Sequence, residues 1–265
     1  MLRKLFAGCI AGLALTATAT PALAQGLDTI ADRGSLRVGI DVGYMPFEMR
    51  DKRGEIIGFD IDLARAMAQA MGVELELVNT AWDGIIPALL TGKIDLIFGG
   101  MTITPQRNMR VLFSDPYLEI GQTLLVSKSR KPKLDRLQDL NDPKVVLTTK
   151  LGTTGDIAAK RHFPQARIRE FESESDAALE VIQGRADAFV YDLPHNTVFA
   201  IRYPDAVWHR EEPFTWEPLG LAMRLGEHDL LNWVNNFLRQ VRGDGRFDRW
   251  ESYWFEDRDW LERVQ

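Results

Sequence analysis

Leu96-Ile97-Phe98-Gly99-Gly100-Met101-Thr102-Ile103-Thr104-Pro105-Gln106-Arg107 is the stretch around which the rest of the chain is organised. The apolar run from Ile94 to Phe98 has the length and composition of a strand buried on both faces. Gly99 and Gly100 then permit a sharp turn and let another group approach the backbone closely. Thr104 is placed as a helix N-cap, with Pro105 at the first helical position, where a missing N–H costs nothing. A strand end, exposed amides, the Thr102 hydroxyl and the Arg107 guanidinium therefore converge. A planar guanidinium fork and unpaired N–H donors suit a small carboxylate. The alternative is an ordinary strand–turn–helix with Arg107 on a solvated face.

Outward from this stretch, strands and helices alternate. Upstream, residues 36–40 form a strand, and residues 59–71 carry an apolar stripe of helical period (Ile61, Ala64, Met67, Ala68, Met71) closed by Gly72. A strand over 73–78 and a helix over 82–90 lead to the strand at 94–98. This βαβαβ series predicts an α/β fold, a mostly parallel sheet with helices on its faces. After a strand at 123–127 the pattern restarts: strands at 145–148, 168–171 and 186–191 alternate with helices at 155–161, 176–183 and 194–201. The last stretch, from Leu219, holds one strand and two helices, one over 228–242 and an aromatic one with Trp250, Tyr253, Trp254 and Trp260. It is too little to stand alone, and its simplest place is back on the first sheet, with its tryptophans packed helix against sheet. Residues 25–119 and 218–265 are thus expected to form one lobe and 120–217 the other. Two crossings, near 119–122 and 216–219, imply a cleft and a hinge.

Residues 1–24 stand apart. Arg3 and Lys4 precede an apolar run, and Ala22-Leu23-Ala24 offers a cleavage site, so a signal peptide cut after Ala24 is predicted. The run is too short to span a bilayer. It contains Cys9, the only cysteine of the chain, so the mature protein is expected to be secreted without disulfides, and its length allows an ample core. Losing Arg3 and Lys4 leaves 30 basic and 38 acidic residues, a net charge of −8 against −6 for the whole chain. That balance argues against nucleic acid or an anionic membrane as partner. His162, His195, His209 and His228 show no metal-ligand spacing and are expected on the surface; neither metal nor cofactor is expected.

Gly58-Phe59-Asp60-Ile61-Asp62-Leu63 followed by residues 64–71 resembles the signature of the polar amino-acid class of bacterial extracellular solute-binding proteins. Tyr44-Met45-Pro46-Phe47, residues 95–107, Phe113-Ser114-Asp115-Pro116-Tyr117, Lys150-Leu151-Gly152-Thr153-Thr154 and Arg185-Ala186-Asp187-Ala188 leading to Asp192 extend the resemblance over the whole mature chain. It implies a two-lobed, type II periplasmic-binding-protein fold and a monomeric periplasmic receptor. Such a receptor takes an amino acid between its lobes and delivers it to the membrane permease of an ABC importer. By this resemblance Arg107 matches the partner of the ligand α-carboxylate, helped by Thr102 and the Gly99–Gly100 region, with Thr154 donating from the second lobe. Asp192 matches the acceptor of the α-ammonium, although it also stands where it could cap the following helix. Tyr44 and Trp82 match aromatics that sandwich the side chain, and Asp41, Lys150 and Tyr191 occupy positions where specificity is read. The chain departs from some relatives in lacking an early disulfide, and in having glycines where several place serines.

The ligand's two charges must both be paired in a dry cleft, because an unpaired buried charge is costly. With Arg107 on one lobe and Asp192 on the other, only the closed form completes the pairing. If Asp41 accepts and Lys150 donates at the side-chain end, a carboxamide satisfies both. Glutamine is therefore expected, with basic amino acids next. The competing class is a secreted cyclohexadienyl-dehydratase-like enzyme on the same scaffold, for which Lys150, Asp41 or Glu48 would have to act as acid or base. Nothing in the sequence marks any of them as tuned, and no catalysis is expected.

Overall fold

The computed structural model describes residues 26–130 and 134–264. The predicted signal peptide, Cys9 and the cleavage position after Ala24 lie outside them. In chain order, α1 (Leu27–Arg33) leads into β1 (Ser35–Ile40), and β2 (Met49–Arg50) pairs with β3 (Ile56–Ile57) in a short hairpin. Then come α2 (Phe59–Met71), β4 (Glu74–Asn79), α3 (Trp82–Leu90), β5 (Leu96–Ile97), α4 (Pro105–Asn108), β6 (Val111–Phe113) and β7 (Leu118–Ile120). The middle of the chain gives β8 (Gln122–Ser127), β9 (Val146–Lys150), α5 (Thr154–His162), β10 (Arg167–Phe171), α6 (Glu174–Ile182), β11 (Ala188–Asp192), α7 (Leu193–Arg202) and β12 (Val207–Arg210). The end supplies β13 (Glu217–Leu219), β14 (Ala222–Arg224), α8 (His228–Gly243) and α9 (Arg246–Glu251).

The helices follow their sequence signals. The apolar stripe of α2 is buried at Ile61, Ala64, Met67 and Ala68, and the helix stops at Gly72, which takes the left-handed conformation at φ 70°. Thr104 caps α4 by accepting the Arg107 N–H, and Thr153 and Ser173 cap α5 and α6 in the same way.

Two five-stranded sheets result. The first has the order β4-β1-β5-β14-β6 and the second β10-β9-β11-β8-β12. In the first, β4, β1 and β5 run parallel and β14 is antiparallel to both neighbours. In the second, β10, β9 and β11 run parallel, while β8 is antiparallel to β11 and β12. Both are therefore mixed sheets with a parallel half. The ribbon β7–β13 carries both crossings between them. In each sheet the chain reverses its direction of winding at the second strand in the order, β1 or β9. In open α/β sheets ligands bind at such points, outside the carboxyl ends of the strands.

Phe47, Phe59, Tyr117, Phe247 and Trp254 pack together in the larger core, each burial contributing about 2–3 kcal/mol. The aromatic tail is not one helix: α9 ends at Glu251, a wider turn covers Ser252–Glu256, and a 3₁₀ turn covers Asp259–Arg263. The break lets Trp254 donate to Asp62 and Trp260 donate to the Trp254 carbonyl, so both buried indoles are satisfied.

Candidate functional site

The carboxyl ends of β1, β5, β9 and β11 face one another across the two sheets. They bring Asp41, the Gly99–Gly100 turn, Lys150 and Asp192 to a narrow cavity lined also by Tyr44, Glu48, Trp82, Thr102, Thr153, Thr154 and Tyr191. Ten of the eleven residues singled out from the sequence are among its walls. Arg107 is the exception. Its guanidinium donates to the Thr102 carbonyl at 2.8 Å and lies 5.4 Å from the centre of the Trp82 ring, beside the cavity. Burial lowers its pKa to about 10, and it stays charged at neutral pH.

The glycine turn has the steric role its sequence requires. A Cβ on Gly100, whose φ is +59°, would stand 2.3 Å from the Tyr44 ring, and one on Gly99 would stand 2.7 Å from a Glu48 oxygen. The amide of Gly100 differs from the expectation of an exposed donor. It donates to Asp60 Oδ2 at 3.0 Å and approaches the Tyr117 hydroxyl at 3.2 Å, so Asp60 at the start of α2 holds the turn from behind.

Asp192 occupies the N-cap position of α7, but its side chain makes no cap hydrogen bond. Instead it accepts from the Tyr44 hydroxyl and from Gln122 Nε2. The capping alternative thus falls away, because the carboxylate is turned into the cavity and bonded across the lobes. Burial raises its pKa to about 7, against the opposing pull of the Tyr44 and Gln122 hydrogen bonds and the Arg107 charge.

Lys150 is buried, not solvated. Its ammonium donates to Asp41 Oδ2 and to Glu174 Oε2, each at 2.6 Å. It also lies 5.9 Å from the Trp82 ring centre. Burial works against the ammonium, but Glu174 and Asp41 outweigh it and raise its pKa; burial likewise raises Asp41, despite Lys150. The free Asp41–Lys150 pair imagined from the sequence is therefore a closed ionic triad. Its third member is Glu174 in the first turn of α6, where an acid reads in the sequence as a routine partner of the helix dipole. Gln122 and Thr153 were missed similarly, each resembling ordinary strand or cap chemistry.

Three further contacts hold the lobes together at this cavity. Thr102 and Thr154 hydroxyls meet at 3.2 Å, the Trp82 indole donates to the Gly152 carbonyl at 3.2 Å, and Tyr44 packs edge-on against Tyr191 with ring centres 5.5 Å apart. Glu48 is buried and lines the cavity floor.

The histidines need correcting. His162 and His228 are exposed, but His195 is fully buried and His209 half-buried. His195 stacks on Phe199 with centres 4.4 Å apart and meets Tyr191 edge-on at 5.0 Å; burial lowers its pKa to about 3, so it is a neutral aromatic prop behind the cavity wall. His209 bonds Thr123 and Thr197 hydroxyls. Among the described residues no group of three His, Cys, Asp or Glu side chains could hold a metal ion, and no helix is long and apolar enough to cross a membrane.

A probable histidine-binding protein of Neisseria gonorrhoeae is 32% identical, over 92% of this chain and 94% of its own length. A putative ABC-transporter binding component from Wolinella succinogenes, solved in complex with lysine, is 48% identical. It superposes with a TM-score of 0.84 over 87% of this chain and 99% of that one. A cyclohexadienyl dehydratase of Pseudomonas aeruginosa is 26% identical over 94% of this chain and 93% of its own. The sequence model of the bacterial extracellular solute-binding proteins, family 3, matches residues 36–257. With that match, and with two α/β lobes closed over a polar cavity at their strand ends, the chain belongs to family 3 of the bacterial extracellular solute-binding proteins.

Proposed function

We propose that this protein is the periplasmic receptor of an ABC importer, and that it captures an L-amino acid with a cationic side chain. In this reading its lobes span 25–119 with 218–265 and 120–217, it acts as a monomer after cleavage behind Ala24, and it hands the amino acid to a membrane permease. The head of the ligand is served by Asp192 for the α-ammonium and by Arg107, with Thr102 and Thr154, for the α-carboxylate.

The observation that carries the choice of side chain is the surplus of acid around the cavity. Once Asp192 and Arg107 are given to the zwitterion, Asp41, Glu48 and Glu174 remain against Lys150 alone. A guanidinium or ammonium entering there relieves that surplus, with Tyr44 and Trp82 available for cation–π contact. The expectation of glutamine rests on Lys150 giving its hydrogen bonds to the ligand. Two carboxylates at 2.6 Å already take two of its three N–H groups, so arginine and lysine rank ahead of glutamine. The lysine complex of the Wolinella relative supports the same order.

We read the site as binding rather than catalytic. The similarity to a dehydratase keeps a second reading open to test: incubation with prephenate or arogenate should yield no product. The main reading is tested by a thermal-shift screen of the twenty amino acids on refolded, ligand-free protein. A ligand at a hundred times its dissociation constant stabilises by about 2.7 kcal/mol. Arginine and lysine should give the largest shifts; a response to glutamine alone overturns the cationic preference, and no response to any amino acid overturns the receptor assignment.

A further inference from the structure

Two buried acids lie beneath the Gly99–Gly100 turn without a cation of their own. Glu48 is 1% exposed and Asp60 0%. Asp60 Oδ2 accepts from the Gly100 amide and, at 2.9 Å, from the Tyr117 hydroxyl. Its Oδ1 and Oε2 of Glu48 have no hydrogen-bond partner among the described residues. The other Glu48 oxygen lies against Gly99, so the two carboxyls flank one turn, and Glu48 is the one that lines the cavity.

The charged and titratable groups acting on Glu48 come from every side. They are Asp60 and Tyr117 from behind the turn, Asp41 from the end of β1, and Lys150, Glu174 and Tyr191 from the second lobe. The cation among them, Lys150, is already held by two carboxylates. Two neighbouring acids in a dry site cannot both be ionised. Asp60 Oδ2 receives two donors while Glu48 Oε2 has none, so of the two carboxyls Glu48 holds its proton more firmly. Burial and Asp60 hold the Glu48 carboxyl well above the usual range, while Asp60 itself is raised to about 8.

We propose that Glu48 is a ligand-binding group kept in its acid form, and that a cationic side chain entering the cavity displaces its proton to solvent, so that capture of arginine or lysine is coupled to proton release. This rests on the cationic reading of the site. The O–H bond of Glu48 breaks, the proton passes to water or buffer, and the carboxylate left behind pairs with the ligand cation, whose own protons are unchanged. A neutral amide meets Glu48 as a hydrogen-bond donor and displaces nothing there. One cavity thus discriminates its ligands according to pH: affinity for arginine gains about tenfold per pH unit wherever Glu48 holds its proton in the free protein.

The test is calorimetry of arginine binding to the mature protein at one pH, in buffers of different ionisation enthalpy. The slope of observed enthalpy against buffer enthalpy counts protons released. Asp192 meets the α-ammonium of every amino acid and adds its own share, so Glu48→Gln is measured alongside. Glutamine is carbon-for-carbon the shape of the protonated acid, and the variant should fold. Wild-type protein should release about one proton more per arginine than Glu48→Gln. Asp60→Asn, which removes the neighbouring acid that helps hold the proton on Glu48, should also reduce the release. Arginine binding with no buffer dependence, or with the same dependence in wild type and Glu48→Gln, overturns the proposal and leaves the receptor reading standing. Failure to bind either arginine or lysine overturns the cationic reading, and this proposal with it.

Discussion

Replacing Lys150 with methionine isolates the charge balance of the cavity, because the stem survives and only the ammonium is lost. In the wild type that ammonium bonds Asp41 and Glu174, whose side chains are 19% and 4% exposed. Removing one partner from a buried ion pair costs roughly 3–5 kcal/mol, since the remaining charge is left uncompensated; the partial exposure of Asp41 places this case toward the lower figure. For a protein of this size the unliganded melting temperature should fall on the order of 10 °C. The loss should depend on pH in a definite sense. The pKa of Asp41, already raised by burial with Lys150 opposing, rises further once that opposing cation is gone. Its contribution to stability is intact in acid and lost as pH increases through the raised value. The gap from wild type should therefore be wide at pH 8 and narrow at pH 5. Arginine brings its own cation into the vacated place, so the variant should bind it more tightly than wild type by roughly tenfold or more. Thermal denaturation by circular dichroism at both pH values, with and without arginine, reads all of these effects. A Lys150→Met protein as stable as wild type at pH 8, or one that binds arginine less tightly, refutes the reasoning.

Arg107→Ala should fold normally and lose amino-acid affinity by roughly a hundredfold or more; calorimetry showing unchanged affinity would remove Arg107 from the site. Asp192→Asn should abolish binding yet stabilise the unliganded protein at pH 8. A carboxyl raised to about 7 contributes its stability in acid and loses it as pH rises through 7; a variant less stable than wild type at pH 8 contradicts this. For the same residue, wild-type affinity for any amino acid should weaken as pH drops below about 7, and a flat pH profile argues against Asp192 as the ammonium acceptor. Ligand should also reduce the radius of gyration in small-angle scattering, because ligand groups come from both lobes; superimposable curves at saturation contradict closure.

What could be read in the sequence was what local physics dictates. The helices over 59–71 and 82–90 have the predicted bounds, because period and termini are written in adjacent residues. The cavity-lining positions were reached because the chain's strand ends, glycine turn and family resemblance coincide. The hairpin of β2 and β3 escaped notice because two residues per strand leave no period to detect. β12, with Val207 buried and Trp208, His209 and Arg210 half-exposed, lies at a sheet edge where alternation is not enforced. The missed chemistry is long-range. Nothing local to Glu174 reports a lysine in β9, and nothing local to Asp60 reports an amide in the turn after β5. His195 did carry a usable signal: Phe199 stands four residues on, on the same buried face of α7, and Tyr191 stands four residues before it at the end of β11.

The most direct test of the account is a calorimetric comparison of arginine, lysine and glutamine on the same ligand-free protein at pH 7.5. The cavity's acid surplus predicts that arginine or lysine binds more tightly than glutamine by roughly a hundredfold, the size of an unmatched charge in a desolvated site. Glutamine binding as tightly as arginine, or more tightly, would contradict it.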